Sequence, residues 1–296
     1  MHYYLIIKHK ILRTFLSRYV PKFLDFTDYK LVKSQVSNLQ KQVNYLQYRI
    51  LFASEIDEWY KTIGELLVPK KNSISFKRIG SVFDGGYLVP DIENLPTDWV
   101  TIGLGYNFEF ENQMVVAGYQ VFSFDHTMKE RPPGLSKKVL WHKIGWGSKY
   151  NETLPLDDLV SKTHIGNNWG LKFDIEGHEW ELMHEILSLK NMPLIILCEL
   201  HELNWDANRS VNDHKIDSLR NILKSFDLIS INGNNYSAEI TTNLVTINEA
   251  VELVFVHKNF AFGLIDSNNF EKFSQLNISN NPNYKQSLFE VRKNKL

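Results

Sequence analysis

The densest group of ionisable side chains in this 296-residue chain directly follows a short apolar segment, in the stretch LKFDIEGHEW at residues 171–180. Four ionisable residues lie within six consecutive positions there: Asp174, Glu176, His178 and Glu179. Open α/β sheets bind their ligands beyond the carboxyl ends of the strands, so this cluster is a candidate site. The alternative is that Asp174 caps the amphipathic helix that follows and that the other charges are simply solvated.

A second polar cluster follows the next apolar segment, in CELHELNW, where Glu199 and His201 stand at the end of a candidate strand. Adjacent parallel strands end at the same edge of a sheet, so these side chains and Asp174 are expected to meet. Together they would surround a reacting hydroxyl, with His201 or a carboxylate removing its proton; His201 with Asp174 is the preferred pair. The same three residues, Asp174, Glu199 and His201, also suit a Mg or Mn ion, and the sequence leaves both interpretations open.

A glycine turn, Gly103 to Gly105, follows the first strand candidate of the sheet, and the second strand candidate ends in Asp125. A separation of about 20 residues between such a turn and a carboxylate that binds ribose hydroxyls is typical of nucleoside cofactor sites. The full GxGxxG pattern is missing, which disfavours NAD. Acidic neighbours at Glu109 and Glu111 suit a cationic cofactor such as S-adenosylmethionine, although a helix N-terminus also favours acidic residues.

Two further loops carry polar residues of interest. The first contains Asp84, Gly85 and Gly86 and is either a hairpin turn or a loop that closes over the cofactor. The second supplies short amides and a phenol that suit sugar hydroxyls, or else is an ordinary loop: Asn234, Asn235 and Tyr236.

These residues must be positioned by the strands and helices that alternate beyond residue 69. Six strand candidates begin at Trp99, Gln120, Val139, Gly170, Pro193 and Phe226, and EAVELVFVHK supplies a seventh. Strands separated by helices predict a mostly parallel sheet covered on both faces. We therefore predict an α/β, Rossmann-like domain over residues 69–296, with a seven-stranded sheet flanked by helices.

Residues 1–68 predict a helical extension. Apolar residues recur at alternating spacings of four and three positions: Val32, Val36, Leu39, Val43, Leu46, Ile50 and Ala53. This pattern predicts either a homo-oligomeric coiled coil through residues 29–53 or a helix packed on its own domain. Residues 1–20 mix aromatic, aliphatic and basic side chains, as a helix lying on an anionic membrane surface does; packing against a partner is the alternative.

Composition limits the classes of function. An apolar content of 43% can form a full core, and a formal net charge of -1 argues against a general nucleic-acid binder. The single cysteine, Cys198, permits no internal disulfide. No run approaches the roughly 20 apolar residues of a membrane span, and the N-terminus lacks the pattern of a signal peptide. We expect a cytoplasmic protein, soluble or peripherally attached at the inner face of the membrane.

The motifs and their order resemble the FkbM-like family of S-adenosylmethionine-dependent methyltransferases. The most diagnostic match is KFDIEGHEWELM, and six other stretches support it: RIGSVFDGGYLVP, TIGLGYNFEFENQM, FSFDHT, KIGWG, NGNNYS and EAVELVFVHK. The match covers roughly residues 76–258 and leaves out the N-terminal extension. One departure is His126, where the family often has a proline.

The resemblance implies the class I methyltransferase fold and O-methylation of sugars or other hydroxylated natural products. It implies cofactor roles for Gly103, Gly105, Glu111 and Asp125, and it places Asp174 and Glu176 at the mouth of the site. The prediction is methyl transfer from S-adenosylmethionine to a hydroxyl of a surface polysaccharide, a lipid-linked sugar or a nucleotide sugar. The alternatives are a metal-dependent O-methyltransferase for another small molecule and a non-catalytic assembly module with the same fold.

Overall fold

The computed structural model describes residues 35, 36, 39, 43, 52–70, 74–147, 152–242, 245–260, 283 and 289–291. The chain forms two compact units, residues 1–56 and residues 57–296. In the first unit, the described seam residues Val36, Leu39 and Val43 are helical. Residues 1–20 and the other seam positions except Ala53 lie outside the described residues. The second unit begins at Asp57, ahead of the boundary at 68/69 that the sequence predicts.

The described helices are α1 (Ala53–Leu66), α2 (Glu109–Val116), α3 (Leu156–Ser161), α4 (Glu179–Ser188) and α5 (Arg209–Ser225). The strands are β1 (Phe76–Gly80), β2 (Gly86–Pro90), β3 (Asp98–Ile102), β4 (Gln120–Phe124), β5 (Leu140–His142), β6 (Gly145–Trp146), β7 (Thr153–Leu154), β8 (Trp169–Phe173), β9 (Ile195–Leu200), β10 (Phe226–Gly233), β11 (Glu239–Thr241), β12 (Val245–Asn248), β13 (Val251–His257) and β14 (Glu290–Val291).

Seven strands form the main sheet in the order β10-β13-β9-β8-β3-β4-β5. Strands β3, β4, β5, β8 and β9 pair in parallel, whereas β13 is antiparallel to both β9 and β10. The chain winds outward from β3 to β5 and then returns to β8 on the other side of β3. The carboxyl ends of β3 and β8 therefore flank a topological switch point, where open α/β sheets bind ligands.

The prediction of a mostly parallel sheet is confirmed, and the seven predicted strand positions all contribute to it. One prediction was wrong in detail: VLWHKIGWG is not one strand. It divides into β5 and β6, and β6 pairs with β7 in a separate small sheet. In this segment, a Cβ atom at Gly145 would lie only 2.1 Å from Nδ1 of His126, and Gly147 takes a φ of 134°.

The core of the sheet is filled by large side chains, among which Trp99, Trp169 and Phe173 are fully enclosed. Gly170 allows the Trp99 ring to pack against β8, because a Cβ atom at that glycine would lie 2.7 Å from the ring. Among the described residues, no helix has the length and apolar character needed to cross a membrane.

Candidate active site

The two polar strand ends meet as the sequence predicts. Strands β8 and β9 are parallel neighbours, with Phe173 paired to Cys198, so Asp174 and Glu199 emerge side by side. His201 follows on the same edge, and its Nε2 atom lies 3.6 Å from Oε1 of Glu199.

Asp174 accepts a hydrogen bond at Oδ2 from the hydroxyl of Tyr87, at 3.1 Å. Burial raises the pKa of Asp174, while the positive charges of Lys172 and His201 oppose that rise. Helix α4 begins later, with His178 as its N-cap residue and no side-chain capping bond. The alternative in which Asp174 caps the helix was therefore wrong.

Tyr87 was not among the predicted site residues. It is buried on β2, where desolvation, followed by the negative charge of Asp174, raises the pKa of its hydroxyl well above the ordinary value. The Nζ atom of Lys172 lies 5.0 Å from the centre of its ring. A buried phenol needs a hydrogen-bond partner, but the sequence carries no signal for this one, because Tyr87 and Asp174 are 87 residues apart.

The loop containing Asp84, Gly85 and Gly86 joins β1 and β2, so the hairpin interpretation is correct. Its tip docks on the glycine turn through Asn107, whose Nδ2 donates to the carbonyl of Asp84 at 2.5 Å. A Cβ atom at Gly85 would lie 2.2 Å from that same nitrogen, which requires glycine there. Contact of this loop with a cofactor stays a prediction.

His201 lies among carboxylates. Its Nδ1 atom is 3.0 Å from Oε1 of Glu179, and its Nε2 atom is 3.7 Å from Oε2 of Glu176. Burial lowers the pKa of His201, but the hydrogen bond and charge of Glu179, with the charges of Glu199 and Asp174, raise it to about 9. With a pKa of about 9, His201 is mostly protonated at neutral pH, which disfavours it as the base, and the role that the sequence suggested for it stays a prediction.

Glu179 organises this part of the site, although no role was predicted for it from the sequence. It is fully buried and accepts hydrogen bonds from the backbone amides of Ile175 and Gly177, each at 3.0 Å. Burial raises its pKa, but the hydrogen bond and charge of His201 together with the backbone hydrogen bonds outweigh that effect, and the pKa falls. The turn that it holds places Glu176 at a φ of 55°, a strained conformation for a residue other than glycine.

Glu199 is 5% exposed and accepts a hydrogen bond from Nδ2 of Asn234. Burial, followed by the charges of Asp174 and Glu252, raises its pKa to about 8. Among the predicted substrate-binding residues, Asn234 is thus buried and binds Glu199, whereas Asn235 is half-buried. Tyr236 is 60% exposed beside them, and its backbone amide donates to Oδ1 of Asn234.

Asp125 stabilises the glycine turn through hydrogen bonds with its backbone amides. Its Oδ2 accepts from the amides of Leu104 and Gly105, at 2.9 and 3.0 Å. Its Oδ1 accepts from the amide and the hydroxyl of Thr127, at 2.8 and 2.6 Å. Burial raises the pKa of Asp125, but these hydrogen bonds together lower it. Four donors match the roughly four lone-pair positions of a carboxylate, so the observed partner of Asp125 is the turn itself, and a bond to ribose stays a prediction.

Glu111 is enclosed by protein rather than facing a ligand. It is fully buried, and its Oε1 lies 3.7 Å from Nζ of Lys172, which also donates to the carbonyl of Gly103. Burial raises the pKa of Glu111, and the charge of Lys172 opposes this rise. The direct cofactor contact predicted for Glu111 is incompatible with this position, because the side chain faces an internal ion pair. Glu109, exposed in the first turn of α2, fits the helix-dipole alternative.

The structure also groups three side chains that could hold a metal ion, but they differ from the predicted set. Ligand atoms of Asp174, Glu179 and His201 lie within 4.8 Å of one another, with Glu179 in the place predicted for Glu199. The oxygens of Glu179 already accept backbone amides, and a metal at His201 would have to displace its proton.

The loop after β9 is fixed through three consecutive carbonyls. Their donors are buried side chains from three different helices: Trp180 to His201 at 2.9 Å, Lys215 to Glu202 at 2.6 Å, and Trp59 to Leu203 at 3.2 Å. Helix α1, which the sequence assigned to the extension, therefore helps to position His201.

Replacement of Trp59 by Phe is expected to destabilise the fold by about 1–3 kcal/mol and to lower the pKa of His201, because the loop loses one of its three anchors. Trp99→Phe is the matched control, since the Trp99 indole also donates to a backbone carbonyl, that of Pro96, but outside this loop. NMR titration of the His201 ring and urea unfolding would separate the two effects. Equal pKa values for His201 in both variants would contradict the positioning role.

No family model and no curated protein sequence matches this chain. Among solved structures, it is similar to fibrillarin in a complex with Nop5p, at 8% identity over 56% of this chain and 74% of that one, with a TM-score of 0.35. It is also similar to the fibrillarin pre-rRNA processing protein of Methanococcus jannaschii, at 8% identity over 56% and 69%, with a TM-score of 0.31. At these scores neither likeness defines the function of this chain.

Proposed function

We propose that this chain is an S-adenosylmethionine-dependent O-methyltransferase that acts on a hydroxyl of a carbohydrate or glycoconjugate. The observation that carries the proposal is the convergence of two polar strand ends, at Asp174 and Glu199, beside a glycine turn at the switch point of the sheet. The FkbM-like motifs support it. The sheet supports it as well, because β13, the last strand of the chain to join this sheet, runs antiparallel to both of its neighbours, as is typical of the class I methyltransferase fold.

The glycine turn offers room for the cofactor. Gly105 is exposed with a φ of 57°, and a Cβ atom there would meet nothing within 4 Å, so a ligand can approach the backbone closely. Gly103 is different, because it lies against the carbonyl of Asp174 and joins the turn to the catalytic strand end. S-adenosylmethionine supplies the methyl group at this turn, and the sulfonium charge suits the acidic edge.

The side chains of the site have different roles toward the acceptor hydroxyl. A hydroxyl is a weak nucleophile near neutral pH and needs a base within hydrogen-bond reach. Glu199 fills that role, because a carboxyl with a pKa near 8 binds a proton more strongly than an ordinary glutamate. Asp174, held by Tyr87, orients the hydroxyl, and the His201 cation stabilises the ionised form of Glu199, which becomes neutral when it accepts the proton.

The pH dependence follows from these two groups. We expect kcat/KM to rise as Glu199 ionises, with an inflection at about pH 8, and to fall as His201 loses its proton at about pH 9. A profile that instead rises near pH 6.5 would mean that neutral His201 is the base. Steady-state rates between pH 6 and 10 would distinguish the two.

The same groups lower stability at high pH. The folded-state pKa of Glu199 lies above its ordinary value of 4.5, so its contribution to stability is complete below that pH and is lost as pH rises through about 8. The folded-state pKa of His201 lies above 6.5, so its contribution is complete below that pH and is lost as pH rises through about 9. The free energy of unfolding should therefore decrease between pH 6.5 and 9.5.

The direct test of the activity is transfer of labelled methyl from S-adenosylmethionine to a panel of glycans, with the methylated position found by mass spectrometry. Label in a glycan hydroxyl supports the proposal. Binding of S-adenosylmethionine without transfer to any glycan would limit the proposal to methylation of another acceptor.

Two other functions remain as alternatives. The group of Asp174, Glu179 and His201 favours a metal-dependent O-methyltransferase for another hydroxylated small molecule. Activity that survives thorough chelation and is not increased by Mg or Mn would exclude this. A non-catalytic assembly module would bind no S-adenosylmethionine at all.

A further inference from the structure

The loops that follow β8, β9 and β10 contain more acidic than basic residues. Residues 174–178, 201–208 and 234–238 contain four acids and no lysine or arginine: Asp174, Glu176, Glu202 and Asp206. The proposed cofactor turn lies on the other side of Asp174, beyond β3, so these three loops form the part of the edge that an acceptor would meet.

The lysines nearest to this edge are committed to the protein. Lys172 is buried and bonds the carbonyl of Gly103 beside Glu111. Lys215 is buried and donates to the carbonyl of Glu202, with its Nζ atom 3.6 Å from the carboxylate of the same residue. Among the described residues, the charged partners of His201 are likewise the carboxylates of the site. None of these three cations is available to an incoming anion without breaking an internal ion pair.

Two acids face solvent at the mouth. The side chains of Glu176 and Glu202 are 87% and 60% exposed. Each residue has a positive φ, 55° and 59°, and the two turns meet at Gly177, where a Cβ atom would lie 3.1 Å from Oε1 of Glu202. The Glu176 carboxylate thus lies beside His201 and the Glu202 carboxylate beside Gly177, so a phosphate or carboxylate at this mouth would meet like charge.

We infer that the acceptor carries no negative charge next to its reacting hydroxyl, so the site takes a neutral sugar ring or an amino sugar. This inference rests on the proposed function and narrows it. Nucleotide sugars, sugar phosphates and uronic acids that place their charge at the mouth are disfavoured, because the exposed carboxylates repel them and the described cations Lys172, Lys215 and His201 are already paired with carboxylates. A lipid-linked glycan fits only where its phosphate lies away from the methylated ring.

Saturation-transfer NMR would test the inference on the full chain with S-adenosylhomocysteine present, using methyl glucoside, glucosamine and glucose 6-phosphate as matched probes. We expect glucose 6-phosphate to bind at least about tenfold more weakly than the other two probes, because a few partly screened charge repulsions lower affinity by about that factor. The double variant Glu176→Gln, Glu202→Gln should reduce that difference about fivefold or more. The matched control is Glu65→Gln, Glu93→Gln, which removes two exposed glutamate charges elsewhere and should leave the difference unchanged.

Binding of glucose 6-phosphate as tightly as methyl glucoside would overturn the inference. An equal effect of the two double variants on the difference in affinity would also overturn it. A lack of binding of both methyl glucoside and glucosamine would do the same. Calorimetric binding of S-adenosylhomocysteine in the same samples reports on the proposed function separately, so failure of one can be told from failure of the other.

Discussion

Glu199→Gln is expected to lower kcat for methyl transfer by about 10²- to 10⁴-fold, the usual contribution of a general base. Glutamine has the same shape, and its carbonyl still accepts the hydrogen bond from Asn234. Because the pKa of Glu199 is raised to about 8, the native side chain is mostly protonated at pH 7. Folding at pH 7 therefore requires the native side chain to take up a proton, a cost that the neutral glutamine avoids, so the variant should be at least as stable as the native chain and cofactor affinity should be preserved.

Glu252→Gln is the matched control for this variant. Glu252 is a buried glutamate that pairs directly across from Glu199 on the neighbouring strand, and it accepts a hydrogen bond from Asn232. Its replacement removes a carboxylate from the same row of the sheet and should lower the pKa of Glu199, whose rise it helps to cause, but it leaves the proposed base in place. Stopped assays with labelled cofactor would measure both variants, and equal rates in the two would exclude Glu199 as the base.

Gly103→Ala is expected to destabilise the fold by about 4 kcal/mol. The alanine Cβ would lie 1.8 Å from the backbone carbonyl oxygen of Asp174, so either the turn or the catalytic strand end must move. The φ of 81° adds the cost of a left-handed conformation, about 1 kcal/mol. Because the carbonyl belongs to Asp174, activity should fall together with stability.

Gly118→Ala separates the two causes of that cost. Gly118 follows α2 with a φ of 98°, and a Cβ atom there meets nothing within 4 Å. This substitution should therefore cost only about 1 kcal/mol, from the backbone conformation alone. Urea unfolding of both variants provides the comparison, and equal losses would show that the close approach of Gly103 to Asp174 is not required.

Much of the sheet could be predicted from the sequence because its strands are short apolar runs between turns. The same logic predicted that Asp174 and Glu199 would converge, since adjacent parallel strands end together. The partner of Asp174 could not be predicted in this way, because Tyr87 reaches it from a hairpin far away in the sequence. The role of Glu179 could not be predicted either, because its hydrogen bonds come from the backbone amides of Ile175 and Gly177 and depend on how that turn folds.

The charge states were the hardest part to predict. His201 has the ordinary properties of a base in the sequence, and only the number of carboxylates around it makes it a cation. Asp125 was predicted as a ribose ligand from its position, yet four donors from its own chain meet its oxygens. The resemblance likewise implies a cofactor contact for Glu111, which follows the glycine turn, but Lys172 pairs with it inside the fold.

The central claim is that the turn from Gly103 to Gly105 holds S-adenosylmethionine, and calorimetric titration of the cofactor tests it most directly. The native chain should bind with a saturable heat, and Gly105→Ala should weaken that affinity by about tenfold or more, because its Cβ enters the space that the cofactor needs. Gly118→Ala, which has a similarly positive φ and similar free space, should bind like the native chain. No heat of binding to the native chain, or equal affinities in all three proteins, would contradict the account.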